Sequence, residues 1–96
     1  MQEQVHTLVV DDEEGIRFIL AEALSEQGHD VVTASNGEEA LQRLRDTSFD
    51  LAVLDLRLGG RVDGLRVLQA ISWRWPGTAV IILTGHGTLD SAMDAI

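Results

Sequence analysis

Three of the short apolar stretches of this chain limit its fold more than any other feature. They lie at 8–10, 51–54 and 79–83. A strand that reads as a continuous apolar run is typical of a sheet buried on both faces. The intervening segments carry apolar residues at the spacing of helical turns. The chain therefore predicts an α/β fold in which a parallel sheet is covered by helices on both faces.

The pattern predicts strands alternating with helices along the whole chain. Strands are expected at 6–10, 31–34, 51–54 and 79–83, and helices at 13–27, 37–46, 64–73 and from about Leu89 onward. Ser35 and Glu38 match a capping box for the second helix, and Asp63-Gly64 suits the start of the third. The side chains expected to pack inward are Ile16, Ile19, Leu20, Ala23 and Leu24 of the first helix, Leu65, Leu68 and Ile71 of the third, and Trp73 and Trp75.

Length and composition exclude several classes of protein. Ninety-six residues form one domain at most, spanning 1–96. The net charge is −9, all seven basic residues are arginine, and cysteine is absent. Direct contact with nucleic acid, a thiolate metal site and a P-loop lysine are therefore not expected in this segment. Without an apolar run of about 18 residues or a signal peptide, the chain is expected to be soluble and cytoplasmic.

Aspartates stand where two of the apolar runs end. Asp11 and Asp12 follow the first run, and Asp55 follows the run at 51–54. The carboxyl ends of parallel strands are where ligands bind in α/β sheets. At about 4 Å and an effective dielectric near 20, one pair of like charges costs about 4 kcal/mol. Such a cluster needs a cation, protons or ample water, and Mg²⁺ prefers carboxylate oxygens and water.

Ordinary structural roles compete with a ligand site. Asp12 alone would suit the cap of the first helix, and Asp55 the start of a turn. Capping needs only one acid per helix, so three acids together favour a site. Thr84 follows the run at 79–83, and alone its hydroxyl would satisfy a loop backbone group. Beside a bound cation, the same hydroxyl could contact phosphoryl oxygens.

In their order and spacing, these segments resemble the receiver domain of two-component response regulators. The matching stretches are LVVDDE at 8–13, DLAVLD at 50–55, DGL at 63–65 and ILTGHG at 82–87. The loop at 84–88 further resembles regulators of the nitrogen-control type, which often carry an ATPase output domain. The resemblance implies a flavodoxin-like (CheY-like) sheet with strand order 2-1-3-4-5. The fifth strand and last helix of that fold are not expected within this chain.

The resemblance also implies Mg²⁺-dependent phosphoryl transfer to Asp55 from a histidine kinase or a phosphotransfer protein. Asp12 and Asp55 would ligate Mg²⁺ directly, together with the carbonyl oxygen of Arg57, and Asp11 would act through water. Thr84 would hydrogen-bond the phosphoryl group. The backbone N–H groups that would assist belong to Leu56 and Gly85. The cation would offset the repulsion among the carboxylates and the charge that develops on transfer.

The chain departs from the family in three places. Gly59 stands where the family usually has proline, in a loop that is one residue longer. There is no lysine, whereas the family binds the phosphoryl group with one. The fifth strand, its aromatic switch residue and the last helix are not among these 96 residues. We expect Mg²⁺ binding to survive, phosphorylation by small phosphodonors to be impaired, and strand 4 or helix 4 to promote dimerisation or aggregation of this piece.

The sequence thus predicts a signalling module that is phosphorylated, with an output domain following it, and not an enzyme that turns over a metabolite. Two alternatives remain: a truncated receiver that acts only as a dimerisation or interaction unit, and a small Mg²⁺-dependent phosphatase-like domain. A phosphatase of the haloacid-dehalogenase type would want its two aspartates spaced by one residue, and here they are adjacent. A nucleotide-binding domain would want glycines after the first strand, where this chain has DDEE.

Overall fold

The computed structural model describes residues 4–83, in which strands and helices alternate. The elements are β1 (His6–Val10), α1 (Glu14–Glu26), β2 (Asp30–Ala34), α2 (Gly37–Asp46), β3 (Leu51–Asp55), α3 (Gly64–Arg74) and β4 (Ala79–Leu83). Each of these elements begins and ends within one residue of the predicted bounds. The fourth helix, predicted from about Leu89, lies outside the described residues.

The four strands form one parallel sheet in the order β2-β1-β3-β4. β1 lies inside the sheet, where Val10 pairs with Ala34 of β2 and with Leu54 of β3. β4 pairs with the other side of β3. The flavodoxin-like order is confirmed for these four strands. Because β1 and β3 are parallel neighbours in register, their carboxyl ends lie side by side.

The main core lies between one face of the sheet and the helices α2 and α3. Alternate residues of β1 and β3 point to this face, so their side chains meet those of the helices. Burying one leucine or isoleucine side chain contributes about 1.5–3 kcal/mol. The buried members of the core are Leu8, Val10, Ala34, Ala40, Leu44, Phe49, Ala52, Leu54, Leu58, Val67 and Ile71.

Helix α1 presents a different face to the sheet from the one predicted. It packs against β1 and β2, with Leu20 and Leu24 half-buried. Ile16, Ile19 and Ala23 are exposed, so the prediction that they point inward was wrong. Because the apolar residues of α1, including the exposed Phe18, spread over more than one side, helical spacing alone does not select the buried side.

Two side chains of α3 also differ from the prediction. Leu65 is 53% exposed and Trp73 is 89% exposed, so neither belongs to the core. The buried stripe of α3 runs through Val67 and Ile71, and Trp75 packs against the edge of the core. With about 3.6 residues per turn, Leu65 and Trp73 both fall on the side of the helix that faces away from this stripe.

The start of α2 is capped one residue later than predicted. Asn36, not Ser35, is the N-cap, and its Oδ1 accepts a hydrogen bond of 2.8 Å from the amide of Glu39. The Glu39 carboxylate in turn accepts a hydrogen bond of 3.2 Å from the amide of Ser35. The prediction of a box at Ser35 and Glu38 was therefore wrong in register, because Asn serves as an N-cap as well as Ser does. Asp63 caps α3, as predicted.

None of the helices within 4–83 is long and apolar enough to cross a membrane. The cytoplasmic location and the single domain over 1–96 stay predictions.

Replacing Ile71 with alanine should lower the free energy of unfolding by about 2–5 kcal/mol, because the truncation of a buried side chain leaves a cavity. Ile71 is 1% exposed and lies on α3 between the helix and the sheet. Leu65→Ala on the same helix is the matched control and should change stability by less than about 0.5 kcal/mol. Urea denaturation followed by circular dichroism measures both. Equal losses in the two variants would contradict the assigned buried face.

Candidate metal centre

Three carboxylates meet where β1 and β3 end. Asp11 and Asp12 follow β1, and Asp55 is the last residue of β3. Each of the three can offer one carboxylate oxygen such that these atoms all lie within 4.8 Å of one another. The predicted convergence is therefore confirmed. It follows from the parallel pairing of Val10 with Leu54, the residues that precede Asp11 and Asp55.

The Asp11 residue is held by its main chain on both sides. Its amide donates to the carbonyl oxygen of Ala34 at 3.2 Å, and its carbonyl oxygen accepts from the Arg17 guanidinium at 2.8 Å. Its carboxylate accepts a hydrogen bond of 2.9 Å from the amide of Glu13. Side-chain contacts to the residue two positions on are typical of aspartate in turns. The Asp11 carboxylate is thus oriented before any ligand binds.

Asp11 titrates in an unfavourable setting for a carboxylate. Burial raises the pKa of Asp11 above its ordinary value, since only 5% of the residue is exposed. The negative charges of Asp55 and Asp12 raise this pKa further. The hydrogen bond from the Glu13 amide lowers it and offsets part of the effect. A positive charge entering the cluster would therefore favour the ionised form of Asp11.

Asp55 is positioned by a turn of the same kind. Its carboxylate accepts a hydrogen bond of 2.8 Å from the amide of Arg57, and the residue is 7% exposed. This bond matches the turn that the sequence offered as an alternative role for Asp55. The turn and the cluster coexist, because the hydrogen bond also fixes the direction of the carboxylate.

Asp12 is the exposed member of the cluster. The alternative role predicted for it, a cap on α1, is not seen. Glu13 occupies the N-cap position of α1, and no side-chain hydrogen bond caps this helix within the described residues. Asp12 is thus the carboxylate of the three that bulk solvent reaches most easily.

The cluster carries negative charge without a basic partner among residues 4–83. In that part of the chain, the ion pair that forms joins His6 and Asp30 at 3.1 Å, at the other end of β1 and β2. The Arg17 guanidinium contacts the carbonyl oxygen of Asp11 and not a carboxylate. Two buried carboxylates and one exposed carboxylate with no counter-charge are a suitable ligand set for a hard divalent cation.

The remaining predicted site residues divide into two groups. Arg57 is exposed and follows Asp55 in the loop, and the amide of Leu56 donates to the carbonyl oxygen of Leu83 at 3.3 Å. Thr84 and Gly85 lie outside the described residues.

Sequence reasoning missed two kinds of contact at this site. Arg17, which ties α1 to the main chain of Asp11, was not singled out, although an arginine on the first turns of a helix after an acidic strand end is a usable signal. Gly64 was expected only to start a helix. A Cβ at Gly64 would collide with the carbonyl oxygen of Asp55 and would lie 2.5 Å from the Cα of Leu56.

The fold and the acidic cluster define an α/β domain with a candidate cation site at the carboxyl ends of its strands, and comparison with known proteins identifies its family. Residues 7–96 match the family model described as the response regulator receiver domain. The chain belongs to this family. It is a receiver domain of the two-component type, the module in such systems that accepts a phosphoryl group.

Several proteins are similar to most of the chain. An NtrX-like response regulator of Rickettsia conorii is 42% identical over 97% of the chain, and the DNA-binding transcriptional regulator NtrC of Escherichia coli is 41% identical over 91% of it. These stretches cover 20% and 18% of the two relatives. The crystal structure of the response regulator TrrA from Thermotoga maritima in complex with Mg²⁺-BeF is 36% identical, with a TM-score of 0.78, over 96% of this chain and 81% of that one.

The names of these relatives confirm the predicted likeness to regulators of the nitrogen-control type. The chain spans about a fifth of the length of the curated relatives it matches.

Stability should depend on pH through Asp11. Because the pKa of Asp11 is raised in the folded state, its contribution is fully present below the ordinary value of 3.8 and is lost as the pH rises through the folded-state value. With a chelator present to remove divalent cations, Asp11→Asn should therefore have a higher free energy of unfolding than the parent chain at pH 7. The difference between the two free energies should shrink toward pH 3. Asp46→Asn, an exposed change at the end of α2, is the control. Parallel pH profiles for the parent and Asp11→Asn would contradict the assignment.

Proposed function

We propose that Asp55 accepts a phosphoryl group from a histidine kinase or a phosphotransfer protein, in a reaction that depends on Mg²⁺. The observation that carries this proposal is the convergence of three carboxylates that have no basic partner among residues 4–83. Asp55 is the natural acceptor because it ends the central strand β3 and its carboxylate is already oriented by the Arg57 amide. The similarity to TrrA, whose structure is described in complex with Mg²⁺-BeF, supports the choice of cation.

In this proposal two of the carboxylates coordinate the cation directly and the third contacts it through water. Asp12 and Asp55 ligate Mg²⁺ directly, together with the carbonyl oxygen of Arg57. Asp11 acts through water, which agrees with its burial and with the hydrogen bond that its carboxylate already accepts from the Glu13 amide. A bound Mg²⁺ supplies positive charge that offsets the carboxylates and stabilises the transferring phosphoryl group.

The transfer itself is a nucleophilic displacement at phosphorus. A carboxylate oxygen of Asp55 attacks the phosphorus of a phosphohistidine, the P–N bond breaks, and the imidazole leaves with the bonding pair and takes up a proton. The product is an acyl phosphate on Asp55. The Arg57 amide keeps the carboxylate in place during the attack, so that orientation is supplied before the donor arrives.

Backbone and hydroxyl donors complete the proposed phosphoryl site. The amide of Leu56 faces the end of β4, where its hydrogen bond to the Leu83 carbonyl is long at 3.3 Å. Because this hydrogen bond is longer than the usual 2.9–3.0 Å, the amide can more easily leave the carbonyl oxygen and donate to a charged phosphoryl oxygen instead. In the proposal, the Thr84 hydroxyl hydrogen-bonds the phosphoryl group, and the backbone N–H of Gly85 assists together with that of Leu56.

The proposal extends to partners. An output domain C-terminal to this segment is proposed because the chain matches only about a fifth of its curated relatives. Turnover of a metabolite is not part of the proposal.

Self-association is a second candidate role: Ile81 on β4 is 52% exposed, and among residues 4–83 β4 pairs with β3 alone. An exposed apolar edge strand is a template for pairing with another chain.

Mg²⁺ should stabilise the parent chain but not an Asp12→Asn variant. A ligand at 100 times its dissociation constant adds about 2.7 kcal/mol to the free energy of unfolding, and Asp12→Asn removes a direct ligand. Glu14→Gln, an exposed change of the same charge in the first turn of α1, is the matched control and should retain the effect. Thermal unfolding with and without MgCl₂ measures it. The same increase in all three proteins would mean general charge screening and not a site.

Asp55→Asn should abolish labelling by a small phosphodonor. In MgCl₂, acetyl phosphate should add one phosphoryl group to the parent chain, slowly because the chain has no lysine to hold it, and the product should be sensitive to hydroxylamine. Intact-mass spectrometry follows the addition, with Asp46→Asn as a control that remains labelled. Label that persists in Asp55→Asn would overturn the assignment. Catalytic release of phosphate from p-nitrophenyl phosphate would favour the phosphatase-like alternative.

A further inference from the structure

Each of the three helices within residues 4–83 has a glycine in its first turn, and two of these glycines touch the same loop. Gly15 belongs to α1, Gly37 begins α2 and Gly64 begins α3. A Cβ placed on Gly15 would meet no atom within 4 Å. A Cβ on Gly37 would collide with the carbonyl oxygen of Val62 and lie 2.8 Å from its Cγ1. The close approach is therefore specific to α2 and α3.

The segment between β3 and α3, residues 56–63, is the loop that both helices touch. Its last residues are Val62, which lies against Gly37, and Asp63, which caps α3 by accepting a hydrogen bond of 2.9 Å from the Arg66 amide. Its first residues lie against Gly64, whose missing side chain leaves room for the peptide that joins Asp55 to Leu56. Both ends of the loop are thus packed against a helix start.

Between its two ends, the loop is anchored by Leu58, which is buried in the core, whereas Gly59 and Gly60 have open space around them. A Cβ on Gly59 or Gly60 would meet no atom within 4 Å. The obstacle at Gly37 is main chain, and main chain cannot rotate away as a long side chain can. A methyl group there would have to push the Val62 end of the loop aside. The chain would transmit this displacement through residues 56–61, which include the buried Leu58, to Gly64 and the Asp55 peptide.

We propose that Gly37 is a positioning residue of the metal centre, although it lies on α2 and the carboxylates of the cluster lie at the ends of β1 and β3. It acts through Val62 and the loop, whose other end carries Arg57 and the amide that orients Asp55. This inference rests on the proposed function, because it takes the cluster to be a cation site.

The displacement that a methyl group at Gly37 requires is larger than the tolerance of a metal site. An ordinary contact requires at least 3.4 Å, whereas Val62 Cγ1 would lie at 2.8 Å and the Val62 carbonyl oxygen closer still, so the loop or the start of α2 must yield by about 0.6 Å or more. Metal–ligand distances in a well-formed site vary by only about 0.2 Å. Residues that hold ligands in place without touching the metal typically change metal affinity by about 10- to 100-fold when they are mutated.

The test compares Gly37→Ala with Gly15→Ala by calorimetric titration of Mg²⁺ into the chain at 10 °C. Both variants add one methyl group to the first turn of a helix. We expect the dissociation constant for Mg²⁺ to rise about tenfold or more in Gly37→Ala and to stay within about twofold of the parent value in Gly15→Ala, where the methyl group meets open space. Equal affinities in Gly37→Ala and the parent would overturn the inference and leave the proposed function intact.

Two further variants separate positioning from a general loss of stability. Ile71→Val removes one methyl group from the core and should lower stability without changing Mg²⁺ affinity; weaker binding there to the same degree as in Gly37→Ala would overturn the inference. If Gly37→Ala does not fold, Val62→Ala replaces it, because it releases the loop from α2 without adding bulk. Several-fold weaker Mg²⁺ binding in Val62→Ala supports the inference, and unchanged binding overturns it. A parent chain that binds no Mg²⁺ would refute the proposed function and this inference together.

Discussion

Two buried carboxylates stand side by side in this domain because β1 and β3 pair in parallel and in register. The pairing of Val10 with Leu54 brings Asp11 and Asp55 to the same edge of the sheet, where Asp12 joins them. Their mutual repulsion is opposed by the buried layer between the sheet and the helices α2 and α3. The core therefore stabilises a charge arrangement that would disperse in an unfolded chain, and a cation can use that arrangement.

Much of this architecture could be predicted from the sequence because the informative features are local. Continuous apolar runs identified β3 and β4, and the aspartates at the ends of the runs identified the cluster. The buried face of each helix was harder to predict from the sequence. Ile19 and Leu65 fit a helical stripe but are exposed, because the side of a helix that meets the sheet is chosen by the tertiary packing of its neighbours.

The contacts that escaped prediction join residues far apart in the chain. Gly37 lies against Val62, and a glycine in a sequence reveals that a side chain is missing but not which main chain approaches it. The shift of the cap from Ser35 to Asn36 has another cause, since neighbouring residues of equal capping ability cannot be ranked without the backbone. Motifs located the chemistry, whereas packing between elements determines how firmly its parts are held.

The two short turns at Asp11 and Asp55 mean that charge alone does not define this site. Each carboxylate reaches the amide two residues ahead, a distance that the single methylene of aspartate spans. Glutamate has the same charge, but its side chain is one methylene longer. It would either lose the hydrogen bond from that amide or place its oxygens beyond the point where the three carboxylates meet. Substitution by the chemically nearest residue is thus a change of geometry at these positions, and the arm length of aspartate is as much a part of the site as its charge.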